Sequence, residues 1–445
     1  MHPFASYVLR SYYRATGWNE DNLYANLTRS SNAILDFSVP QGLHFSISKS
    51  PNPLFKTTYS MRALPSLNGS VGYIFTSCDL DVKGSGDVRF KDMIDRFKVY
   101  DQPRRPEGKE EEWLGGERVD TRDYLLYGRV YVPTGRLDAL YSARLSPTLQ
   151  AIVAAISDPR TSLSAEPTRG SNYPSSNIMF SLQHDTGKWC TEYTWSAEDG
   201  MWGIRCLHNF GKLGNPSEPA EENEKSPSAP MRTPSEMKRI DEEDAMEGGL
   251  KGRISAGAEF YFSAKEKSAG VCSYSIEASS FDRSTIPASS SPLQSSTISR
   301  GPPSQPPTTI TALFNPMLGH ISSAYSARVS RDLSMSSRFD FNVYSYESEW
   351  TIGAEWWTRR GKGMFASASS DVPTPDTPSQ TALPEPIGDV QGVVKVRAST
   401  TTDFSLLWEG RLHNMLVSFG IVSNLASRSN PIKSVGLELS YFSSG

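Results

Sequence analysis

Between Phe404 and Tyr441 the chain alternates with period two. One face of the first stretch carries Phe404, Leu406, Trp408, Gly410 and Leu412, and the other carries Ser405, Leu407, Glu409, Arg411 and His413. The next sets Met415, Val417, Phe419 and Ile421 against Leu416, Ser418, Gly420 and Val422. The last sets Val435, Leu437, Leu439 and Tyr441 against Ser434, Gly436, Glu438 and Ser440. Side chains alternate across a strand, so this pattern predicts strands, most with one apolar and one more polar face. No run of eighteen apolar residues occurs anywhere, which leaves no transmembrane helix to compete with that reading. Periodicity alone does not say whether the apolar faces meet in a soluble core or look at lipid around a polar lumen.

The same alternation extends upstream. Strands are predicted at 43–49, 54–62, 69–78, 124–132, 137–145, 149–157, 178–185, 189–196, 202–210, 254–264, 271–278, 309–315, 321–329, 333–347 and 350–359, before four more from Gly392 onward. About nineteen strands of roughly 8–12 residues fit the tilted spans of a membrane barrel. A propeller would repeat near every forty residues, and no such repeat is visible. The chain divides into an N-terminal segment, 1–41, and a strand region, 42–445, interrupted by loops at about 79–122, 158–176, 212–251, 281–307 and 361–390. Four of these follow odd-numbered strands and so emerge on one rim; only the loop at 158 falls on the other. In the N-terminal segment Phe4, Tyr7, Val8, Tyr12 and Ala15 lie at helical spacing, and 22–37 adds a second short helix or a plug. Phe90, Met93, Ile94 and Phe97, spaced i, i+3, i+4, i+7, predict a helix inside the first long loop.

Little in the composition points to chemistry. The formal net charge of −4 argues against a dedicated nucleic-acid surface. The four cysteines form no CxxC pair and the six histidines no metal-ligand spacing, so neither a disulfide framework nor a metal site is indicated. Gly361-Lys362-Gly363 lacks the strand–GxxxxGK[ST]–helix frame of a phosphate loop. No catalytic constellation and no cofactor are expected.

Several blocks are specific enough to carry a resemblance. Near the N-terminus stand Trp18-Asn19-x-Asp21-Asn22-x-Tyr24, then Leu27-Thr28, Leu35-Asp36-Phe37 and Pro40-x-Gly42-Leu43. The central blocks are Asn315-Pro316-x-x-Gly319-His320-Ile321-Ser322-Ser323-x-Tyr325-Ser326-Ala327 and Phe339-Asp340-Phe341-Asn342-x-Tyr344-Ser345. Ser434, Gly436, Leu439 and Tyr441 match the mitochondrial β-signal. Together they resemble the fungal mitochondrial distribution and morphology outer-membrane β-barrel family over nearly the whole chain outside the Pro/Ser-rich and acidic loops. The resemblance implies an all-β, porin-like transmembrane up-and-down barrel of nineteen strands. Its first and last strands would be parallel and its N-terminal helical segment would enter the lumen. The polar faces with Glu259, Arg328, Glu355, Arg359, Glu409 and Arg411 would line that lumen.

The resemblance also implies a non-enzymatic scaffold of the mitochondrial outer membrane at contact sites with the ER. Its partners would be the other subunits of the ER–mitochondria encounter structure (ERMES), namely the ER anchor and soluble lipid-transfer subunits. The sorting and assembly machinery (SAM), the TOM import complex during assembly, and membrane lipid would be the others. A protein shared by two complexes needs two docking surfaces. Tyr73 with Phe75, and Phe260 with Phe262, repeat an aromatic-x-aromatic pairing on single strand faces. They are candidates because desolvated aromatics concentrate binding energy, although membrane contact or an interface girdle is the simpler account. A voltage-dependent anion channel-like pore and a soluble all-β binding protein are the competing functions. A net-basic lumen would favour the pore, and the polar faces carry mixed charge instead.

Overall fold

The computed structural model describes residues 3–80, 82–100, 103, 105–106, 113–114, 117–118, 123–159, 175–211, 252–263, 268–280, 307–359, 390–401, 403–424 and 431–444. The first strands are β1 (Gly42–Ser50), β2 (Phe55–Leu64), β3 (Asn68–Thr76), β4 (Tyr124–Val132), β5 (Leu137–Ser146) and β6 (Leu149–Asp158). Next come β7 (Ser175–Asp185), β8 (Trp189–Ser196), β9 (Met201–Phe210), β10 (Gly252–Ser263), β11 (Ser268–Ser280), β12 (Thr308–Asn315) and β13 (His320–Arg328). The wall ends with β14 (Leu333–Asn342), β15 (Ser348–Arg359), β16 (Val390–Ser399), β17 (Asp403–Leu412), β18 (Met415–Asn424) and β19 (Ile432–Ser444).

Each strand pairs antiparallel with the next, and β1 pairs with β19 to close a 19-stranded sheet on itself. An odd number of alternating strands leaves the first and last pointing the same way. The closing pair is therefore parallel, with Gly42 opposite Gly436 and Ser50 opposite Ser444. Closure removes every sheet edge along the wall, the condition for strands to cross a bilayer.

Exposure runs opposite to that of a soluble protein. Tyr59, Met61, Trp202, Ile204, Tyr274 and Ile276 are exposed on the outside, whereas Ser142, Gln150, Gln183, Ser255, Glu277 and Lys395 are buried inside. Apolar out and polar in is the pattern of a barrel solvated by lipid, and among the described residues no helix is long and apolar enough to cross a membrane.

The apolar core is not between sheets; it forms between the wall and what fills the lumen. Helix α1 (Pro3–Thr16) buries Phe4, Val8 and Tyr12 against Ile74, Leu125, Tyr127 and Phe442. The expected stripe holds except at its end, where Ala15 is exposed and Thr16 is buried, its hydroxyl donating to the Tyr12 carbonyl at 2.9 Å. A 3-10 turn at Tyr24–Asn26 and helix α2 (Arg29–Leu35) follow. The helix predicted over 90–97 is only one turn, α3 (Phe90–Met93), because the chain is already extended at Ile94. The Phe97 amide is spent on the Glu355 carboxylate (3.2 Å) rather than on a helical carbonyl. The strand expected over 333–347 stops at Asn342, whose side chain caps a turn by accepting from the Tyr344 and Ser345 amides. Of the expected loops, 212–251 lies outside the described residues, as do nearly all of 281–307, 361–390 and 158–176. The strands that precede those at 79, 212, 281 and 361 are β3, β9, β11 and β15, which share one direction.

Candidate functional site, a plugged lumen and two aromatic faces

Two segments fill the lumen from opposite rims. The N-terminal segment joins β1 at the rim where β1 begins, called here the first rim. Its helix α1 lies near the second rim, where Tyr12 donates to the Asp123 carbonyl (3.0 Å) just before β4 and Phe4 packs on Phe442 at the end of β19 (ring centroids 5.0 Å). Residues 79–80 and 82–100 enter from the second rim after β3 and turn inward.

Beyond α1, the wall grips the N-terminal segment at three places. Asn22, fully buried, donates to the Asp185 carboxylate (2.7 Å) and accepts from Asn209 (2.7 Å), which itself accepts from Arg253 (3.1 Å). Tyr24 and Leu27 pack on Cys190 and Leu207. The C-terminal end of α2 meets three cations. Arg338 forks onto Asp36 (2.6 and 3.0 Å), Lys395 donates to the Ala33 carbonyl (2.9 Å), and Arg397 donates to the Leu35 carbonyl (3.0 Å). Unpaired carbonyls and the negative end of the helix dipole make this a favourable place for positive charge.

The second segment is tied to both the wall and the first. Arg411 donates to the carbonyls of Gly86 (3.0 Å) and Val88, and the Ser85 hydroxyl and amide bond the backbone of Phe442. Phe90 and Ile94 pack on Trp357 and Val393. Ion pairs join the two segments through Arg10–Asp95, Arg29–Asp95 (3.7 Å) and Lys98–Asp21 (2.8 Å). Burial pushes the Asp95 carboxyl up, but Arg10, Arg29 and Lys395 outweigh it and hold the group below the ordinary carboxylate range. A depressed carboxylate contributes stability above its unfolded value, about 3.9, and loses it as pH falls through the lower folded value. Hydrogen exchange of residues 82–100 is therefore expected to accelerate below about pH 4 while the amides of β8 and β9 stay protected. Equal acceleration of both would contradict the clasp.

All six charged residues expected on the polar faces point inward. Glu355 is fully buried, accepting from Trp357 Nε1 (2.7 Å) and Phe97 N, with Lys395 at 4.0 Å. Glu259 meets Arg205 (3.6 Å), Arg359 meets Asp332 (2.6 Å), and Ser418 donates to Glu409 (3.4 Å). Arg328 lies over the Phe97 ring at 6.0 Å, and Arg411 serves the second segment. Most therefore hold a partner within the wall or the plug rather than lining open water.

Lys395, Arg397, Arg338 and Asn209 went unselected in the sequence, and Asn22 stood out only as part of the N-terminal block. A signal for the plug existed nonetheless. Tyr73-Ile74-Phe75 and Tyr124-Leu125-Leu126-Tyr127 are apolar on both faces, which a lipid-facing strand with a wet lumen has no reason to be. Ile74, Leu125 and Tyr127 are the inward residues that receive α1.

Tyr73, Phe75, Phe260 and Phe262 all face outward and are exposed. Tyr73 stacks on Phe55 (5.8 Å) and Phe75 meets Tyr124 (6.1 Å), forming a cluster toward the second rim. Phe262 stands opposite Trp202, and Phe180, Trp195 and Trp202 run in line with it across β7–β10 toward the first rim (centroids 5.5 and 6.1 Å). The two faces thus lie near opposite rims on β3 and β10. Of the β-signal residues, Ser434 and Gly436 are on the inward face of β19, and Leu439 and Tyr441 on the outward face.

A closed barrel with an apolar exterior and a filled interior defines the class: a plugged membrane β-barrel of odd strand number. The family model for mitochondrial distribution and morphology protein 10 matches residues 1–386 and 385–444. Relatives of that name include those of Postia placenta (81% identical), Laccaria bicolor (69%) and Phaeosphaeria nodorum (35%), each aligned over 100% of both chains. The chain belongs to the mitochondrial distribution and morphology protein 10 family.

Proposed function

We propose that this protein is a scaffold of the mitochondrial outer membrane that works by its surfaces and not through its pore. The observation that supports this is the occupied lumen: two anchored segments stand where a metabolite channel would need open water. The voltage-dependent pore is disfavoured on the same ground. In this reading the barrel anchors the soluble lipid-transfer subunits of the ER–mitochondria encounter structure, and so supports phospholipid exchange and mitochondrial shape and inheritance. In the sorting and assembly machinery it helps insert other barrels, including parts of the TOM import complex. Tyr73/Phe75 and Phe260/Phe262 serve as separate docking faces. Their positions on different arcs and toward different rims suit two partners of different geometry, and aromatic anchors desolvated by a partner carry large shares of binding energy.

Co-isolation from fungal mitochondria tests this with two double variants, Tyr73→Ala/Phe75→Ala and Phe260→Ala/Phe262→Ala. Each is expected to lose one complex and keep the other while the barrel still resists carbonate extraction. Retention of every partner by both variants would reduce these aromatics to lipid contacts and remove the two-face proposal.

A further inference from the structure

At one level of the wall the lumen face of the seam has no side chains. Parallel pairing sets Gly42 opposite Gly436, and antiparallel pairing sets Gly436 opposite Gly420. Three adjacent strands, β1, β19 and β18, therefore present glycine in a row. Over this row the N-terminal segment leaves the lumen as Val39-Pro40-Gln41. A Cβ on Gly436 would stand 2.0 Å from the Pro40 carbonyl oxygen and 2.7 Å from the Gln41 nitrogen, and a Cβ on Gly420 would stand 2.4 Å from Val39 Cγ1. Both separations to the main chain are far inside van der Waals contact. Gly42, at φ 75°, then turns the chain into β1, a conformation that favours glycine. Only Gln41 separates Pro40 from β1, so β1 cannot reach its register beside Gly436 unless residues 39–41 cross the row.

We propose that this glycine row is the seat of residues 39–41, and that the β1–β19 seam closes only with the N-terminal segment seated in it. Seating residues 39–41 and closing the wall are then a single event. Gly436 has a second role besides its place in the β-signal pattern, and Gly420, outside that pattern, shares it. The two obstacles differ in kind. At Gly436 the opposing atoms belong to the main chain and cannot be trimmed, whereas at Gly420 the nearest atom is a side-chain methyl.

The seam offers its own reporter, because Ser46 and Ser440 face each other across it with hydroxyl oxygens 2.6 Å apart. In the full-length chain, Ser46→Cys with Ser440→Cys is expected to oxidise to a disulfide that closes nearly the whole chain into a ring of altered gel mobility. Native Cys78, Cys190, Cys206 and Cys272 are replaced by serine throughout, and chains with only one of the two new cysteines provide the background. Adding Gly420→Ala is expected to cut the ring yield severalfold and expose α1 to protease, and adding Val39→Ala to restore both. Gly436→Ala is expected to cut the yield without rescue by Val39→Ala. The measurement is made on chains refolded into detergent micelles as well as on imported ones, so that a defect in reading the β-signal cannot imitate a defect in closure. Parental ring yield with Gly420→Ala, or failure of Val39→Ala to rescue it, overturns the proposal.

Discussion

Val8→Asp is expected to expel α1 from the lumen. Val8 is fully buried among Phe4, Tyr12, Ile74 and Leu125, and the buried Lys56 opposite Ile74 is already engaged with the Pro53 carbonyl. Burying an unpaired charge costs several kcal/mol after relaxation. With the loss of the valine contacts, the total should exceed about 4 kcal/mol. Helix α1 is a single amphipathic element with no independent stability in water, so it should leave rather than distort the wall. Limited proteolysis of the inserted protein should then cut within residues 3–16 while the strands remain intact. Continued protection of α1 would mean that the wall, not the apolar cluster, determines its position.

Lys395→Met is expected to loosen both segments at once. The ammonium donates to the Ala33 carbonyl of the first segment and the Asp95 carbonyl of the second, and stands 4.0 Å from the fully buried Glu355. Removing one member of a buried pair leaves the other charge uncompensated, a loss of about 3–5 kcal/mol. The double variant Lys395→Met/Glu355→Gln should recover part of it, because no buried charge is then left without a partner, although the single amide oxygen can accept from only one of the two donors, Trp357 Nε1 and the Phe97 amide, that the carboxylate serves with separate oxygens. A thermal melt in detergent, read beside hydrogen exchange of residues 29–36 and 82–100, separates these outcomes. If the single and double variants melt together well below the parent, the Glu355 charge is not what makes the loss of Lys395 costly.

The wall was legible because its physics is local. Alternation, turn residues and strand length are each written within a few positions, and they place the strands from Leu43 to Tyr441 within a residue or two at most ends. The plug was legible only in outline, because its conformation is decided by distant partners. Phe90 to Phe97 has a helical stripe, yet Glu355, far along the chain, takes the Phe97 amide that a helix would need. Thr16 displaces Ala15 from the buried face because its hydroxyl can bond back to the helix. Lys395 and Arg338 read as ordinary polar-face residues until α2 supplies the carbonyls and the carboxylate that they meet. No local pattern announces such pairs, since neither partner is unusual on its own. The tyrosine and leucine runs at Tyr124–Tyr127 were the exception: apolar character on both faces is a local sign of a distant neighbour.

The contact between Phe4 and Phe442 also sets a timetable. Phe4 packs on Phe442, so the complete apolar cluster around α1 cannot form until residue 442 has been made. Vectorial folding during synthesis, in which early segments mature while later ones are still being made, is closed to this molecule. Residues 4–12 must stay unaggregated until then, and the slow loop closure that brings residue 4 to residue 442 comes late. Whatever escorts the chain must therefore hold the amphipathic stripe of residues 4–12 as well as the strands.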